Sequence, residues 1–374
     1  MEINEEIHVG VAPEIIYTKI AELVDQVIEN TSRYREIEEL RKTLGPYIKK
    51  IHGSIETCSY AVDSSYSVPP IEIAGGYIGI VQVSEIIAGP RCNSSPIVKA
   101  YVEYHPVRDI TGIKARLYER EHLIQALLKK KNNEAYFDLA LVDGEILYRG
   151  GLDNEVIGVE ERDIVNQTVN KTKITLQIAS ETNTPVIGVL KRSYSRDITV
   201  LHGHIGLNIN DRLLMTMILE PGQYYVQGTY KEIYEKYRAI LGERDQYGEL
   251  SQEATWRIRS RFNWIEKLVI TYFPEYKDKI LVVYYKPFTP PGALAVKLEV
   301  YPTRSWDIEK IIKAVASQTG STGFPMIIDY VDTLSYISVD VKRLVYSLLK
   351  SLISERDPKL AELVTKLMNP QKPI

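Results

Sequence analysis

Ser59-Tyr60-Ala61-Val62-Asp63-Ser64-Ser65-Tyr66 is a short apolar run that ends on a carboxylate and a polar cluster. Its length and its abrupt change from apolar to polar predict a buried β-strand with Asp63 at its carboxyl end. Outward from it the same pattern recurs. Ile71 to Ile87 is rich in Ile, Val, Tyr and Gly, with Gly75-Gly76 as a hairpin turn, and Val98 to His105 follows as another strand. Residues 112–131 change to helical spacing, with Leu117, Ile124, Leu127 and Leu128 on one face and Asn132-Asn133 at the end. Phe137-Asp138-Leu139-Ala140-Leu141-Val142-Asp143-Gly144 is then a second buried strand running into a turn. A helix over about 161–182 and the strand Pro185 to Leu190 follow. The order meander, helix, strand, helix, strand predicts an α/β fold: a mixed sheet with helices on its faces.

The rest of the chain elaborates this frame. Ile16, Ile20, Leu23, Val24 and Val27 form one apolar stripe of a helix expected over 13–50, broken or bent at Leu44-Gly45-Pro46. That helix packs either on its own domain or on a second subunit. Helices are expected near 229–241, at 307–317 and over 335–367, with Pro358 opening a separate last one. Strands are expected at Ile280 to Tyr285 and Ala295 to Tyr301. The predicted organisation is an N-terminal helical arm (1–54), one large domain (55–335) and C-terminal helices (336–374).

Composition limits the function classes. The 46 Lys and Arg against 49 Asp and Glu give a net charge of −3, so no global basic field points to nucleic acid, although a local groove can still be basic. The acidic N-terminus lacks the form of a signal peptide. No apolar run approaches the roughly 18–20 residues of a membrane span, so a cytoplasmic protein is expected. Cys58 and Cys92 have no CxxC spacing and fit neither a zinc site nor a disulfide scaffold, which predicts two thiols in a reducing setting. Tyr is common at 26 residues, and with few Cys and many Lys, Glu and Ile it points towards a thermophile. The sequence has no P-loop, GxSxG, HExxH or dinucleotide fingerprint.

The chemistry-bearing residues are carboxylates and a basic loop. Asp63 and Asp143 both end apolar strands, where side chains of an α/β sheet converge. Two carboxylates brought together repel unless a cation neutralises them, and Mg²⁺ or Mn²⁺ suits an oxygen-only site. Each is also compatible with an ordinary turn. On the helix at 112–131, Glu121 lies within about 40° of Leu117 at roughly 100° per residue. If Leu117, Ile124 and Leu128 mark the buried face, Glu121 rather than Glu119 overlooks the sheet edge, and a solvated helical Glu is the alternative. Lys191-Arg192-Ser193-Tyr194-Ser195-Arg196 combines three cations with a Tyr, suited to phosphates and a base or to a solvated loop. Arg257, Arg259 and Arg261 alternate with Trp256, Phe262 and Trp264, as a helix anchoring its aromatics or as a DNA contact.

These segments, in order, resemble the NurA nucleases of archaea. Ala61-Val62-Asp63-Ser64-Ser65 is similar to the family's opening strand, with Ser64 where Gly is frequent. Leu141-Val142-Asp143-Gly144-Glu145-Ile146 resembles its later Asp-Gly strand, and Val186 to Ser193 resembles its V-x-G-V-x-K-R-S segment. Asp211 to Gly222 and the pair Val282 to Lys286 and Val296 to Val300 complete the set, which spans roughly 55–335. The resemblance implies an RNase H-like core, a homodimer, and Mn²⁺-dependent cutting of DNA with a hexameric HerA-like translocase in end resection. It makes Asp63, Asp143 and Glu121 (Glu119 as the alternative) metal ligands and sets Lys191, Arg192 and Arg196 near the DNA. The family's C-terminal Tyr and His are here Phe324 and Asp332. Asp332 retains the capacity to ligate a hard cation, whereas Phe324 cannot donate a proton. That departure raises the alternative of a degenerate paralogue that binds DNA or a partner without cutting.

Overall fold

The computed structural model describes residues 20, 24, 34–73, 75–148, 158–242, 252–288, 290 and 292–359. In chain order the elements begin with α1 (Tyr34–Leu44), β1 (Ile48–Lys50), β2 (Ser59–Tyr66), β3 (Ile71–Ile73), β4 (Gly76–Gly89), β5 (Cys92–Asn93) and β6 (Ile97–His105). There follow α2 (Thr111–Lys131), β7 (Leu139–Asp143), α3 (Val159–Glu181), β8 (Val186–Leu190), α4 (Asp197–Leu201), α5 (Asp211–Ile218) and β9 (Gln223–Thr229). The last are α6 (Tyr230–Gly242), α7 (Gln252–Glu266), β10 (Leu281–Tyr285), β11 (Val296–Tyr301), α8 (Ile308–Ser317), α9 (Met326–Ser335) and α10 (Val339–Arg356).

The eleven strands of the described residues join one sheet, ordered β1-β9-β10-β11-β8-β7-β2-β4-β3, with β5 and β6 also on β4. At its centre β2, β7 and β8 run parallel, and the remaining pairs are antiparallel. This is a mixed α/β sheet flanked by helices. The period of two along a strand sorts side chains between faces. Tyr60, Val62, Ala140 and Val142 pack with Ala115, Leu123 and Leu127 of α2 and Val169 and Leu176 of α3. Ala61, Leu139, Leu141, Ile187 and Val189 pack with Ile311, Ile312 and Val315 of α8 and Ile328 and Val331 of α9. The central strands are therefore covered on both sides, which is why they read as continuous apolar runs.

The expected hairpin at Gly75-Gly76 joins β3 to β4, with Ile73 opposite Gly76 and Gly75 at φ 91°. The helix expected to reach residue 50 ends instead at Leu44. Gly45-Pro46-Tyr47 forms a 3₁₀ turn, and β1 pairs antiparallel with β9, placing Ile48 opposite Tyr225. Pro46 has no N–H to continue the helical ladder, so the chain leaves it there. Ile37, Leu40 and Leu44 of α1 join the main core. Apart from Ile20 and Val24, the N-terminal stripe lies outside the described residues, as does the chain after Lys359 that Pro358 opens. No helix of the described residues is long and apolar enough to cross a membrane.

Cys58 and Cys92 form a disulfide, with Cα atoms 5.9 Å apart, and this overturns the expectation of two free thiols. Cys58 immediately precedes β2, Cys92 pairs with Gly89 at the end of β4, and Ser59 pairs with Ala88. The bridge thus crosses the tip of β4 at Gly89. A Cβ there would come 2.4 Å from the Thr57 carbonyl oxygen, so only glycine admits the close approach.

Candidate metal centre at the carboxyl ends of the parallel strands

The parallel strands deliver three polar side chains to one place. Asp63 follows Ala61, Asp143 follows Leu141 and Lys191 follows Val189, each two residues on and therefore on the face covered by α8 and α9. Helix α9 brings Asp329, Asp332 and Ser335 to the same point at spacings of three residues. Carboxylate oxygens of Asp63, Asp143 and Asp332 lie within 4.8 Å of one another, with Asp63 buried, Asp143 half-buried and Asp332 exposed. Ser335 Oγ donates to Asp63 Oδ2 at 2.6 Å. Lys191 Nζ stands 2.5 Å from Asp332, 2.9 Å from Asp143 and 3.8 Å from Asp329.

Gly144 explains how β7 can end so sharply beneath Asp143. Its φ of 108° lies in the left-handed region. On the neighbouring strand a Cβ at Gly188 would meet the Gly144 carbonyl oxygen at 2.5 Å. Two glycines thus let the chain turn immediately after the second carboxylate.

The electrostatics call for a cation. Burial, then the neighbouring charges of Asp143 and Glu119, push the Asp63 carboxyl up to about 7. Burial also raises Asp143, with Lys191 opposing it. Burial acts against the Lys191 ammonium, but Asp143 and Asp332 outweigh it and hold the group above its ordinary range. A set of oxygen donors with this unmet demand for positive charge fits a hard divalent ion such as Mn²⁺ or Mg²⁺.

The helical carboxylate at the strand ends is Glu119, not Glu121. Glu119 is fully buried on α2 and accepts from Ser64 Oγ at 3.1 Å, Arg116 at 2.9 Å and Arg120 at 2.7 Å. Arg116 also donates to the Asp143 carbonyl at 2.8 Å, joining this network to the strand that carries the second carboxylate. Glu121 lies 3.3 Å from Lys171 on α3 and is partly exposed. The physical reason is that α2 is buried on two sides. Leu117 packs with Ile110 and with Ile164 of α3, so the direction it marks leads to α3 rather than to the sheet.

Among the basic residues, Lys191 sits inside the carboxylate cluster, Arg192 is exposed, and Arg196 is half-buried in the wall of a cavity. Phe324 lies close by, with its ring 6.0 Å from Lys191 Nζ and 5.1 Å from the Arg212 guanidinium. In α7, Phe262 and Trp264 pack against the core, as an anchoring helix requires, while Trp256 stays exposed. Arg116, Arg120, Asp329 and Ser335 were not singled out from the sequence. For Asp329 and Ser335 the spacing of three to either side of Asp332 was the available signal.

A family model described as the NurA domain matches residues 59–337. No curated protein sequence matches the chain. Solved structures similar to it include the NurA nuclease from Sulfolobus solfataricus, with 13% identity over 92% of this chain and 98% of that one and a TM-score of 0.60. NurA with manganese is similar at 12% identity over 96% and 100%, TM-score 0.52. NurA bound to dAMP and manganese is similar at 12% identity over 94% and 100%, TM-score 0.52. These likenesses show the shared fold, and with a domain match that takes in both Asp63 and Asp332 the chain belongs to the NurA nuclease family.

Proposed function

We propose that the protein is a metal-dependent DNA nuclease whose cation is Mn²⁺, with Mg²⁺ as a substitute. The observation that carries this reading is the convergence of Asp63, Asp143 and Asp332 on one point at the parallel strand ends. These three residues would hold the ion, and Glu119, through Arg116, would keep the Asp143 strand end in place. When bound, a divalent ion supplies water activation and charge stabilisation for phosphodiester hydrolysis. Ser335 orients Asp63 by its hydrogen bond. Lys191 neutralises phosphate oxygens brought to the cluster, and Arg192 and Arg196 hold the strand in a salt-dependent way.

Family membership supports the finer proposals: 5′–3′ exonuclease and single-strand endonuclease activity in double-strand break resection, in an archaeal cytoplasm, with a hexameric HerA-like translocase. A homodimer is also proposed. Leu344, Leu348 and Leu352 recur every fourth residue on the exposed side of α10 and offer an apolar face for a second copy. The disulfide fits an intracellular protein of a hyperthermophile, where such bridges are common.

The test is cleavage of single-stranded DNA by the full chain across Mn²⁺, Mg²⁺ and Co²⁺. Activity with Mn²⁺ is expected, and Asp63→Ala should fall to the metal-free background while keeping its circular dichroism spectrum. Parent-level cutting by Asp63→Ala would remove the assignment. The competing reading, a non-cutting paralogue that binds DNA or a partner, is favoured by Phe324 beside the cluster. It requires the parent to leave DNA intact with all three metals.

A further inference from the structure

Arg212, on the first turn of α5, is held against the backbone that carries Lys191 into the carboxylate cluster. Its Nη1 donates to the Lys191 carbonyl, and its Nε donates to the Ala295 carbonyl at 2.9 Å. Lys191 follows β8 and Ala295 precedes β11, and those strands pair with Leu190 opposite Lys297. Thr216 fixes the helix to the same point: its Oγ1 accepts from the Ala295 N–H at 2.8 Å and donates to the Arg212 carbonyl at 2.8 Å. The Arg212 guanidinium lies 5.1 Å from the Phe324 ring centroid, and Lys191 Nζ lies 6.0 Å from the same centroid. Two neutral carbonyls and a ring thus hold the group without cancelling its charge, and among the described residues it forms no ion pair. It is half-buried, and burial pulls the guanidinium below its ordinary range.

We propose that Arg212 is a substrate-binding residue, which receives a backbone phosphate of the DNA strand near the one that meets the carboxylate cluster; the identity of that strand rests on the nuclease reading. A guanidinium is a planar fork that meets two phosphate oxygens at once, where an ammonium acts as a point charge. Lys191 is committed to Asp143 and Asp332, whereas Nη2 of Arg212 donates to no described residue. The bonds from Nε and Nη1 orient the fork before any strand arrives, which lowers the cost of ordering it on binding. Arg212 and Lys191 stand 5.1 and 6.0 Å from one ring centroid. The phosphates they meet are therefore separated by about three nucleotides at most, at a rise of roughly 3.4 Å along a strand. A phosphate contact carries no base information, so the site holds a strand of any sequence.

The experiment measures binding of the full chain, in EDTA, to labelled oligo-dT and oligo-dA from about 50 to 200 mM salt, for the parent, Arg212→Gln and Arg212→Lys. Arg212→Gln is expected to weaken binding about tenfold at low salt, the loss of a charge-assisted contact, and by the same factor on both strands. The slope of log affinity against log salt should flatten by about 0.7, the share of one phosphate on a single strand. Arg212→Lys keeps the charge and loses the fork, so it should hold the parent's slope while giving up part of the affinity. A parent slope in Arg212→Gln, whatever its affinity, overturns the proposal, because Arg212 then acts only by bracing the Lys191 carbonyl. So does a flattened slope in Arg212→Lys, which decides the matter by itself if the Gln variant does not fold. Binding is read without metal, so the two assignments separate. An unchanged slope in a protein that cuts with Mn²⁺ removes the Arg212 assignment alone, and a flattened slope in one that leaves DNA intact removes only cleavage.

Discussion

The difference between Glu119 and Glu121 is two positions on one helix, and it decides which carboxylate serves the strand ends. Glu119 accepts from two arginines and a serine while fully buried. Glu119→Gln leaves Arg116 and Arg120 without their counter-charge. We expect a stability loss of about 3–5 kcal/mol, the cost of breaking a buried pair, and a 10–100-fold loss of metal affinity or cleavage through the displaced Asp143 strand end. Glu121→Gln removes a partly exposed pair with Lys171 and should change stability by less than about 1 kcal/mol. Equal effects of the two substitutions in denaturant melts and cleavage assays would refute this division. Asp63, Asp143 and Asp332 were legible because strand-end position and the order of family-like segments mark them directly. Glu119 was not, because amphipathicity identifies a buried face only when a helix has one, and α2 is buried against both the sheet and α3.

At the scale of elements, the central strands β2, β7 and β8 were legible because each holds a short apolar run bounded by polar residues. The edge strand β1 was hidden because three residues carry no period, and only pairing with β9 makes them a strand. Helix α7 raises a different question: what fixes its position against α4. Its Arg261 holds Asp197 of α4 in a two-point ion pair, where burial raises the carboxyl and Arg261 outweighs that and keeps it below the usual carboxylate range. In Arg261→Met the buried carboxylate loses its main counter-charge. The variant should lose about 3–5 kcal/mol at neutral pH. The sign with pH follows from linkage. In the parent, a depressed pKa stabilises above the unfolded value and is lost on acidification, whereas in the variant the unpaired carboxyl is relieved by protonation. The stability gap should therefore narrow below about pH 4. A gap that stays constant from pH 7 to that range in urea melts would contradict it.

For the whole molecule, the bridge between Cys58 and Cys92 ties the start of the central strand β2 to the outer hairpin of β4 and β5. Neither cysteine's sequence neighbourhood announces it. The two come together only when β2, β4 and β5 are laid side by side, and Gly89 between them leaves the path clear. A covalent link across a 34-residue separation restricts the unfolded chain far more than the folded one, which the sheet ladder already holds in place. In the chain-entropy account this contributes about 3–4 kcal/mol. Cys92→Ser, or full reduction of the parent, should lower the urea midpoint accordingly. Asp63 lies further along β2, just past the end of its parallel pairing with β7, so Mn²⁺ should still raise the melting temperature of the reduced protein by the same increment as in the oxidised one. If the midpoint is unchanged on reduction, the bridge contributes nothing to stability. If the metal-induced increment disappears with it, Cys58 and Asp63 are coupled along β2, and the sheet is less rigid between them than its buried, fully paired strands imply.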